Sequence, residues 1–474
     1  MSNYASLKIL NTKKLVLQIL LGDSSIQTLP QWVAFSTTTF CNLQCPHCAT
    51  HGTEEARAIN NNQRWDHEMV LKVAAETLPA ATGFCLTLTG EPLATPRLMG
   101  LIARLRPYGA KLHLTTNGSL MSKKVLVQLL PLVSAIDISI DGGTREVVEK
   151  IRSGIEFKKL VNRIRVLTRA RELLGDTVNF PVRFAYTVMG SNIRDMPEAV
   201  RLARSLKVEG IDFYPLQVFN SAVADERVEH YLPLLKTYCR RTLKAAIRPW
   251  DGIDVNFLLP RYSDVSPDPA FAAGGKNLLV KLPADYYESL PPPESFLDPE
   301  AIEQEAGEIA GSVRAGMPAS VSIRQSGEAA ELPRELEKRL EELNCEADVD
   351  IPWCGDLDTR LFLNPNGDAA PCCMPGRPTF GNIHNETVTQ IWNGTQRTEF
   401  WRHFHSPTPP DCCKNCRSRT VVSMRSLLKQ VIPETVPARV LRLLGIPGLI
   451  GHLRSITFLR SSVRFVRSLR ANRD

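Results

Sequence analysis

No apolar run in the 474 residues approaches the ~20 needed to cross a bilayer, so the sequence offers no membrane-spanning helix. Leu15 to Leu21 is a short apolar stretch behind Lys13-Lys14. It lacks a small-residue cleavage site and runs straight toward the first strand, so it is not read as a signal peptide. Aromatic residues are few, at 7%, and basic charge does not alternate with them at base-stacking spacing. That gives no case for nucleic acid. Cysteine is scarce through the middle of the chain, where Cys85 and Cys239 stand alone between Cys48 and Cys345. The rest gather around 41–48 and 345–416. Clustered thiols of this kind suit metal or cluster binding in a reducing cytoplasm rather than disulfides. The charge of +7 is also uneven. Nearly all of the excess lies beyond Ile432, where eight arginines face only Glu434 and Asp474, so it says little about the body of the protein.

Three cysteines fall within eight residues in Cys41-Asn-Leu-Gln-Cys45-Pro-His-Cys48. They follow the apolar run Trp32–Phe35, which reads as a buried strand, and the exit Thr37-Thr38-Thr39. A short loop off a strand end aims three thiolates at one point. A cubane iron–sulfur cluster normally takes four cysteines, so three would leave one iron open to a small molecule. The rival is a structural zinc completed by His51.

From Gln31 onward, short β-rich runs alternate with helical ones. Strands are expected at Val33–Ser36, Phe84–Leu88, Lys111–Thr115, Ile136–Ile140, Val182–Val188 and Ile211–Pro215. Helices are expected at Met69–Leu78, Pro96–Arg106, Lys123–Leu130, Phe157–Leu174 and Met196–Leu206. This alternation means βαβ units and a parallel sheet. Polar, glycine-containing segments follow the strand ends, where barrel enzymes keep their sites. About six repeats predict an α/β fold with an open, partial (β/α)6 barrel. Thr89-Gly90-Glu91-Pro92 ends the second strand, where glycine permits close backbone approach and a carboxylate can hold an ammonium group. Thr116-Asn117-Gly118 and Ser139–Asp141 end the next two, with Arg152 following; each alone reads equally well as turn chemistry. Further on, Cys354, Cys372, Cys413 and Cys416 supply four thiolates, with a hairpin expected at Leu361–Gly367. Cys373 and Cys412 are adjacent alternatives. Four thiolates suit a second cluster or a closed zinc site equally on geometry.

The Cys-x3-Cys-x2-Cys loop resembles the signature of the radical S-adenosylmethionine (radical SAM) enzymes, with His47 where an aromatic residue often stands. The resemblance implies a [4Fe-4S] cluster on Cys41, Cys45 and Cys48 whose open iron chelates SAM. It implies that Glu91, with Gly90, meets the SAM amino group, although Thr89 replaces the usual first glycine of that motif. By the same resemblance Asn117, Ser139 and Asp141 meet ribose hydroxyls or the methionine carboxylate, and Arg152 pairs with that carboxylate. The segment from Cys354 through Gly367, Cys372, Gly381-Asn382-Ile383 and Cys413-x2-Cys416 is similar to a SPASM domain. No cysteine follows Cys416, so one auxiliary [4Fe-4S] cluster is expected on Cys354, Cys372, Cys413 and Cys416.

The expected divisions are a lead-in over 1–30, the barrel over 31–263, an acidic, proline-containing insertion over 264–350, the cysteine-rich domain over 351–420 and a basic tail over 421–474. In that tail Leu453, Ile456, Leu459, Val463 and Val466 share one helical face and Arg460, Arg464 and Arg467 another. Such a helix either docks on the protein body or lies on an anionic membrane. The resemblance implies reductive cleavage of SAM, a flavodoxin- or ferredoxin-type electron donor, and hydrogen abstraction from a peptide, a protein side chain or a small carbohydrate-like molecule. The 30 residues before Gln31 leave no room for a leader-peptide-binding domain, which argues mildly against a peptide maturase. The reading of another class is a non-catalytic zinc- or cluster-binding partner protein.

Overall fold

The computed structural model describes residues 4–60, 64–86, 88–246, 253–259, 280, 286, 298–316, 350–374, 377–414, 416 and 419–423. The arginine-rich tail helix and most of the acidic insertion, including Leu336, Leu340 and Cys345, lie outside the described residues. Among those described, no helix is long and apolar enough to cross a membrane.

A lead-in helix α1 (Tyr4–Leu21) precedes β1 (Trp32–Ala34), α2 (Glu54–Asn60), α3 (His67–Thr77), β2 (Gly83–Cys85) and α4 (Leu98–Leu105). Then come β3 (Lys111–Thr116), α5 (Lys123–Leu129), β4 (Val133–Ser139), α6 (Arg145–Ile151), α7 (Phe157–Leu174), β5 (Val182–Val188), α8 (Met196–Ser205) and β6 (Gly210–Pro215). α9 (Leu232–Ala246) leads to β7 (Asp254–Phe257), which pairs parallel to β6 beyond the six expected strands. α10 (Pro299–Gly316), the described part of the insertion, packs on α7 and α5. It is tied there by Arg169–Glu303 at 2.7 Å.

β1 through β7 run parallel in chain order, as βαβ units require. β5 shows why. Val182, Phe184, Tyr186 and Val188 are buried and alternate with half-buried Arg183, Ala185 and Thr187. One face therefore packs under helices and the other looks into the barrel. α7 presents the complementary stripe, Leu160, Val161, Ile164 and Leu167, to the shared core.

The starting end of the barrel is closed by side chains. Trp32 stands edge-on to His113 at 5.9 Å. Arg183 bridges Asp212 at 2.7 Å and Asp254 at 2.8 Å. A Cβ at Gly83 would lie 2.4 Å from the Trp32 ring, so glycine at the head of β2 makes room for that plug. The barrel therefore offers its interior from the opposite end, where the strands finish.

The cysteine-rich segment is not a separate appendage. Its hairpin, β9 (Arg360–Leu363) and β10 (Asp368–Ala370), adds to the barrel sheet, with β9 parallel to β1 in the register Trp32↔Arg360. β11 (Gly381–Asn382) extends that edge, making a ten-stranded sheet. β8 (Asp350–Trp353) and β12 (Thr420–Ser423) form a second, two-stranded sheet in which Trp353 faces Thr420. Side chains also bind this part to the barrel. The Glu76 carboxylate accepts the N–H groups of Val388 and Thr389 at 2.9 and 2.7 Å, and the Trp65 indole donates to the Pro365 carbonyl at 2.8 Å.

Candidate active site

The loop after β1 is held by its own hydroxyls. The Ser36 hydroxyl donates to the Leu363 carbonyl at 2.6 Å, that of Thr37 to Leu86 at 2.7 Å and that of Thr39 to Asn60 at 3.0 Å. All three side chains are fully buried. The strand ends at Ala34, short of the expected Ser36, and these bonds fix the start of the cysteine loop. Gly90 completes the mount. Its φ is +80°, and a Cβ there would stand 2.7 Å from the Phe40 carbonyl oxygen. The Glu91 N–H donates to that same carbonyl at 2.8 Å. The glycine is thus required by backbone packed against backbone one residue before Cys41.

Cys41, Cys45 and Cys48 line one open cleft of about 590 Å³ with Gly90, Glu91, Asn117, Ser139 and Arg152. The sequence-derived set therefore comes together, except Asp141, which lies behind the wall. Cys45 is the most buried of the three thiols, and burial pushes its pKa up to about 12. The Asn117 side-chain amide approaches the Cys41 sulfur at 3.8 Å. His51, the fourth ligand of the zinc alternative, has its Nε2 2.7 Å from the Thr39 carbonyl oxygen. Among the described residues no three His, Cys, Asp or Glu side chains converge on a single-ion site. An all-thiol set of three facing an open cleft suits a cluster, in which each sulfur takes its own iron.

Glu91 is 1% exposed. Its Oε1 accepts from the Thr116 hydroxyl at 2.6 Å and the Leu93 N–H at 3.1 Å, and its Oε2 from the Asn117 N–H at 2.8 Å. Burial raises its pKa, and the Asn117, Thr116 and Leu93 bonds oppose that rise. Three acceptor positions are used of the roughly four a carboxylate has. The carboxylate also borders the cleft that the three cysteines line.

Asp141 and Arg152 form the rear of the site. Asp141 is fully buried, and its backbone is left-handed at φ +53°. The Thr187 N–H donates to its Oδ1 at 2.7 Å, and the Asn192 amide to its carbonyl at 3.0 Å. Those bonds hold a conformation that costs on the order of 1–2 kcal/mol. Its Oδ2 lies 2.7 Å from the Arg152 Nε and 3.3 Å from the His47 Nε2. Both are close approaches without good hydrogen-bond alignment, and Oδ2, Nε and the His47 Nδ1 have no aligned partner. Burial lowers the His47 pKa to about 4, so its imidazole is neutral. Arg152 also reaches the Cys45 sulfur at 4.0 Å. This charged relay from Asp141 to the cysteine loop was not legible in the sequence; the positive φ that builds it leaves no signature at an aspartate.

The second cysteine set also shares one cavity. Cys354, Cys372, Cys413 and Cys416 line an apolar-walled cavity of about 420 Å³. The β8–β12 pairing sets Cys354, one residue after β8, beside the strand that follows Cys416. Cys372 follows two residues after β10, the second strand of the hairpin. Exposed Cys373 and half-buried Cys412 stand off the cavity wall, Cys412 with its sulfur 3.8 Å from that of Cys413. Fully buried Asp358 anchors the near side. It accepts the Cys354 N–H at 2.9 Å and the Trp401 indole at 2.7 Å, and lies 2.9 Å from the His405 Nε2. Arg377 and Arg419 also face the cavity. No sequence motif marked them, although Arg377 stands only five residues after Cys372.

Comparison with known proteins agrees with this geometry. Residues 35–203 match the radical SAM superfamily, and residues 354–417 match the SPASM iron–sulfur cluster-binding domain. The AdoMet-dependent heme synthase of Methanosarcina barkeri is 26% identical over 180 residues, 37% of this chain and 48% of that one. The tungsten-containing aldehyde ferredoxin oxidoreductase cofactor-modifying protein of Pyrococcus furiosus is 26% identical over 188 residues, 38% of this chain and 50% of that one. The chain thus spans about half the length of these curated relatives. Among solved structures, Streptococcus suis SuiB bound to S-adenosylmethionine is 13% identical, covering 84% of this chain and 73% of that one at a TM-score of 0.46. The radical SAM domain is a binder of SAM and a [4Fe-4S] cluster, and the SPASM domain a binder of a further cluster. With both domains matched in sequence and both cysteine sets gathered in space, the chain carries a radical SAM domain followed by a SPASM domain.

Proposed function

We propose that this protein cleaves SAM reductively and uses the resulting 5′-deoxyadenosyl radical to remove a hydrogen atom from an unactivated carbon. The observation that carries the reading is the single cleft shared by Cys41, Cys45, Cys48 and the Glu91 carboxylate. When bound on those thiols, a [4Fe-4S] cluster supplies the electron and the open iron that the cleavage needs. The chain's own residues do the rest. Glu91 offers a carboxylate to an ammonium group. Asn117 and Ser139 supply polar contacts from the ends of β3 and β4. Asp141 holds Arg152 beside Cys45. His113 and Asp137, paired at 2.6 Å, sit two residues below Thr115 and Ser139 on the same strand faces, toward the closed end of the barrel.

The auxiliary thiols would hold a second cluster that binds substrate or takes the electron left on it. The outcome is oxidation, crosslinking or epimerisation of a peptide, a protein side chain or a small carbohydrate-like metabolite. The matched relatives include a heme synthase, two GTP 3',8-cyclases and a PqqA peptide cyclase, so likeness alone selects no substrate. We place the reaction in the reducing cytoplasm with a flavodoxin- or ferredoxin-type donor. The basic tail is the candidate contact to an anionic membrane surface. Anaerobic reconstitution tests the core of the proposal. About eight irons per chain and 5′-deoxyadenosine formed with SAM and dithionite are expected. A Cys45→Ala variant that still forms 5′-deoxyadenosine would overturn it.

A further inference from the structure

The auxiliary cavity is apolar apart from its thiols and three charged side chains, Asp356, Arg377 and Arg419. Asp356 has a cation of its own, Arg360, at 3.4 Å. Neither Arg377 nor Arg419 has a carboxylate at ion-pair distance among the described residues, and the Nε of each is buried without a hydrogen-bond partner. Arg377 instead lines the cavity beside Cys372, whose sulfur and that of Cys412 favour its charged form. Arg419 lies over the Phe404 ring at 5.6 Å, which steers its guanidinium along the cavity wall. Two half-buried cations without carboxylates among the described residues thus face four thiols across a wall of Leu357, Met374, Phe400 and Phe404, a setting that suits an anion in the cavity.

We infer that Arg377 and Arg419 are fixed cationic partners of the auxiliary cluster and raise its reduction potential, so that it accepts an electron readily. This rests on the proposal that Cys354, Cys372, Cys413 and Cys416 hold such a cluster. The physical chain is short. A cubane on four thiolates is an anion, and reduction adds one more negative charge. A nearby guanidinium favours the more negative state. The apolar wall reduces the screening of that effect, and water on the exposed side of both half-buried arginines keeps it moderate. An N–H donated by Arg377 to a ligand sulfur would act in the same direction. The two arginines come from different loops, one after Cys372 and one after Cys416. The cavity is thus charged from two sides, while Asp356 is held by Arg360.

The test uses the full chain with Cys41, Cys45 and Cys48 changed to Ala, so that only the auxiliary cluster reports. Iron and sulfide are measured first, then the midpoint potential by titration followed with electron paramagnetic resonance. Arg377→Gln and Arg419→Gln are each expected to lower the one-electron reduction constant about tenfold, or 59 mV, with iron content unchanged. Arg377→Lys and Arg419→Lys keep the charge and should shift it less than threefold. Glutamine variants within twofold of the parent overturn the inference while leaving the cluster assignment intact. If a glutamine variant loses its iron, the lysine variants decide, and a full tenfold shift with charge retained overturns it. A parent that carries zinc in place of iron overturns assignment and inference together, and that shows before any arginine is changed.

Discussion

Asp141 Oδ2 lies 2.7 Å from Arg152 Nε, with side-chain exposures of 0% and 13%. The same guanidinium stands 4.0 Å from the Cys45 sulfur. The pair therefore links the end of β4 to the cysteine loop through two buried charges. Breaking a buried pair from one side leaves the other charge uncompensated, at about 3–5 kcal/mol. Asp141→Ala should lose that much stability, and also the bond from Thr187 that holds the turn. Urea unfolding of the reconstituted protein checks this. A loss below 1 kcal/mol would mean the Arg152 charge is satisfied elsewhere.

Gly90→Ala tests the mount of the first cysteine loop. A left-handed alanine costs on the order of 1–2 kcal/mol, and its Cβ would meet the Thr39–Phe40 backbone at 2.7 Å. Backbone cannot swing away as a side-chain tip can, so the displacement passes to Cys41. The expected result is selective. Iron falls by about half, the auxiliary cluster's spectroscopic signal persists, and 5′-deoxyadenosine formation drops at least a hundredfold. Equal loss from both cysteine sets would point to general misfolding instead.

Glu91→Gln separates the carboxylate's charge from its scaffold role. One oxygen survives to accept from Thr116 and Leu93, but the oxygen facing the Asn117 N–H becomes either a donor or a lost charge. A hydrogen bond to a charged group contributes about 1.5–3 kcal/mol, so SAM affinity should fall ten- to a hundredfold with iron content maintained. Equilibrium dialysis of SAM against the reconstituted protein reads this directly. Binding within twofold of the parent would remove Glu91 from the cofactor site.

Much of this was readable in the chain, and what was not has a physical cause. β5 and α7 fall at their expected bounds, Val182–Val188 and Phe157–Leu174, because an alternating strand and a long apolar stripe each carry their own period. Both cysteine sets were visible because ligand spacing is local. The β1–β9 pairing was not. Trp32 and Arg360 are over three hundred residues apart, and a hairpin's sequence does not name the edge it joins. Nor was the Asp141 relay, since three of its members, His47, Asp141 and Arg152, come from separate loops. The cavity arginines were missed for a related reason: a guanidinium becomes informative only once its lack of a carboxylate is seen.

Asp195 gives a pH dependence whose sign follows from its surroundings. It is fully buried, and its Oδ2 accepts the N–H groups of Gly143 at 2.5 Å and Thr144 at 3.1 Å. Its Oδ1 has no partner. Burial pushes its pKa from 3.8 to about 7. Between those values the folded protein keeps a proton that the unfolded chain releases. Its contribution is therefore full below pH 4 and lost as pH rises to 7, by up to about 4 kcal/mol. Asp195→Asn retains an oxygen for both backbone donors and cannot ionise. Its stability relative to the parent should therefore rise between pH 5.5 and pH 7.5. Urea midpoints of both proteins at the two values measure the change. The same difference at both pH values would show that the carboxyl does not titrate in this window.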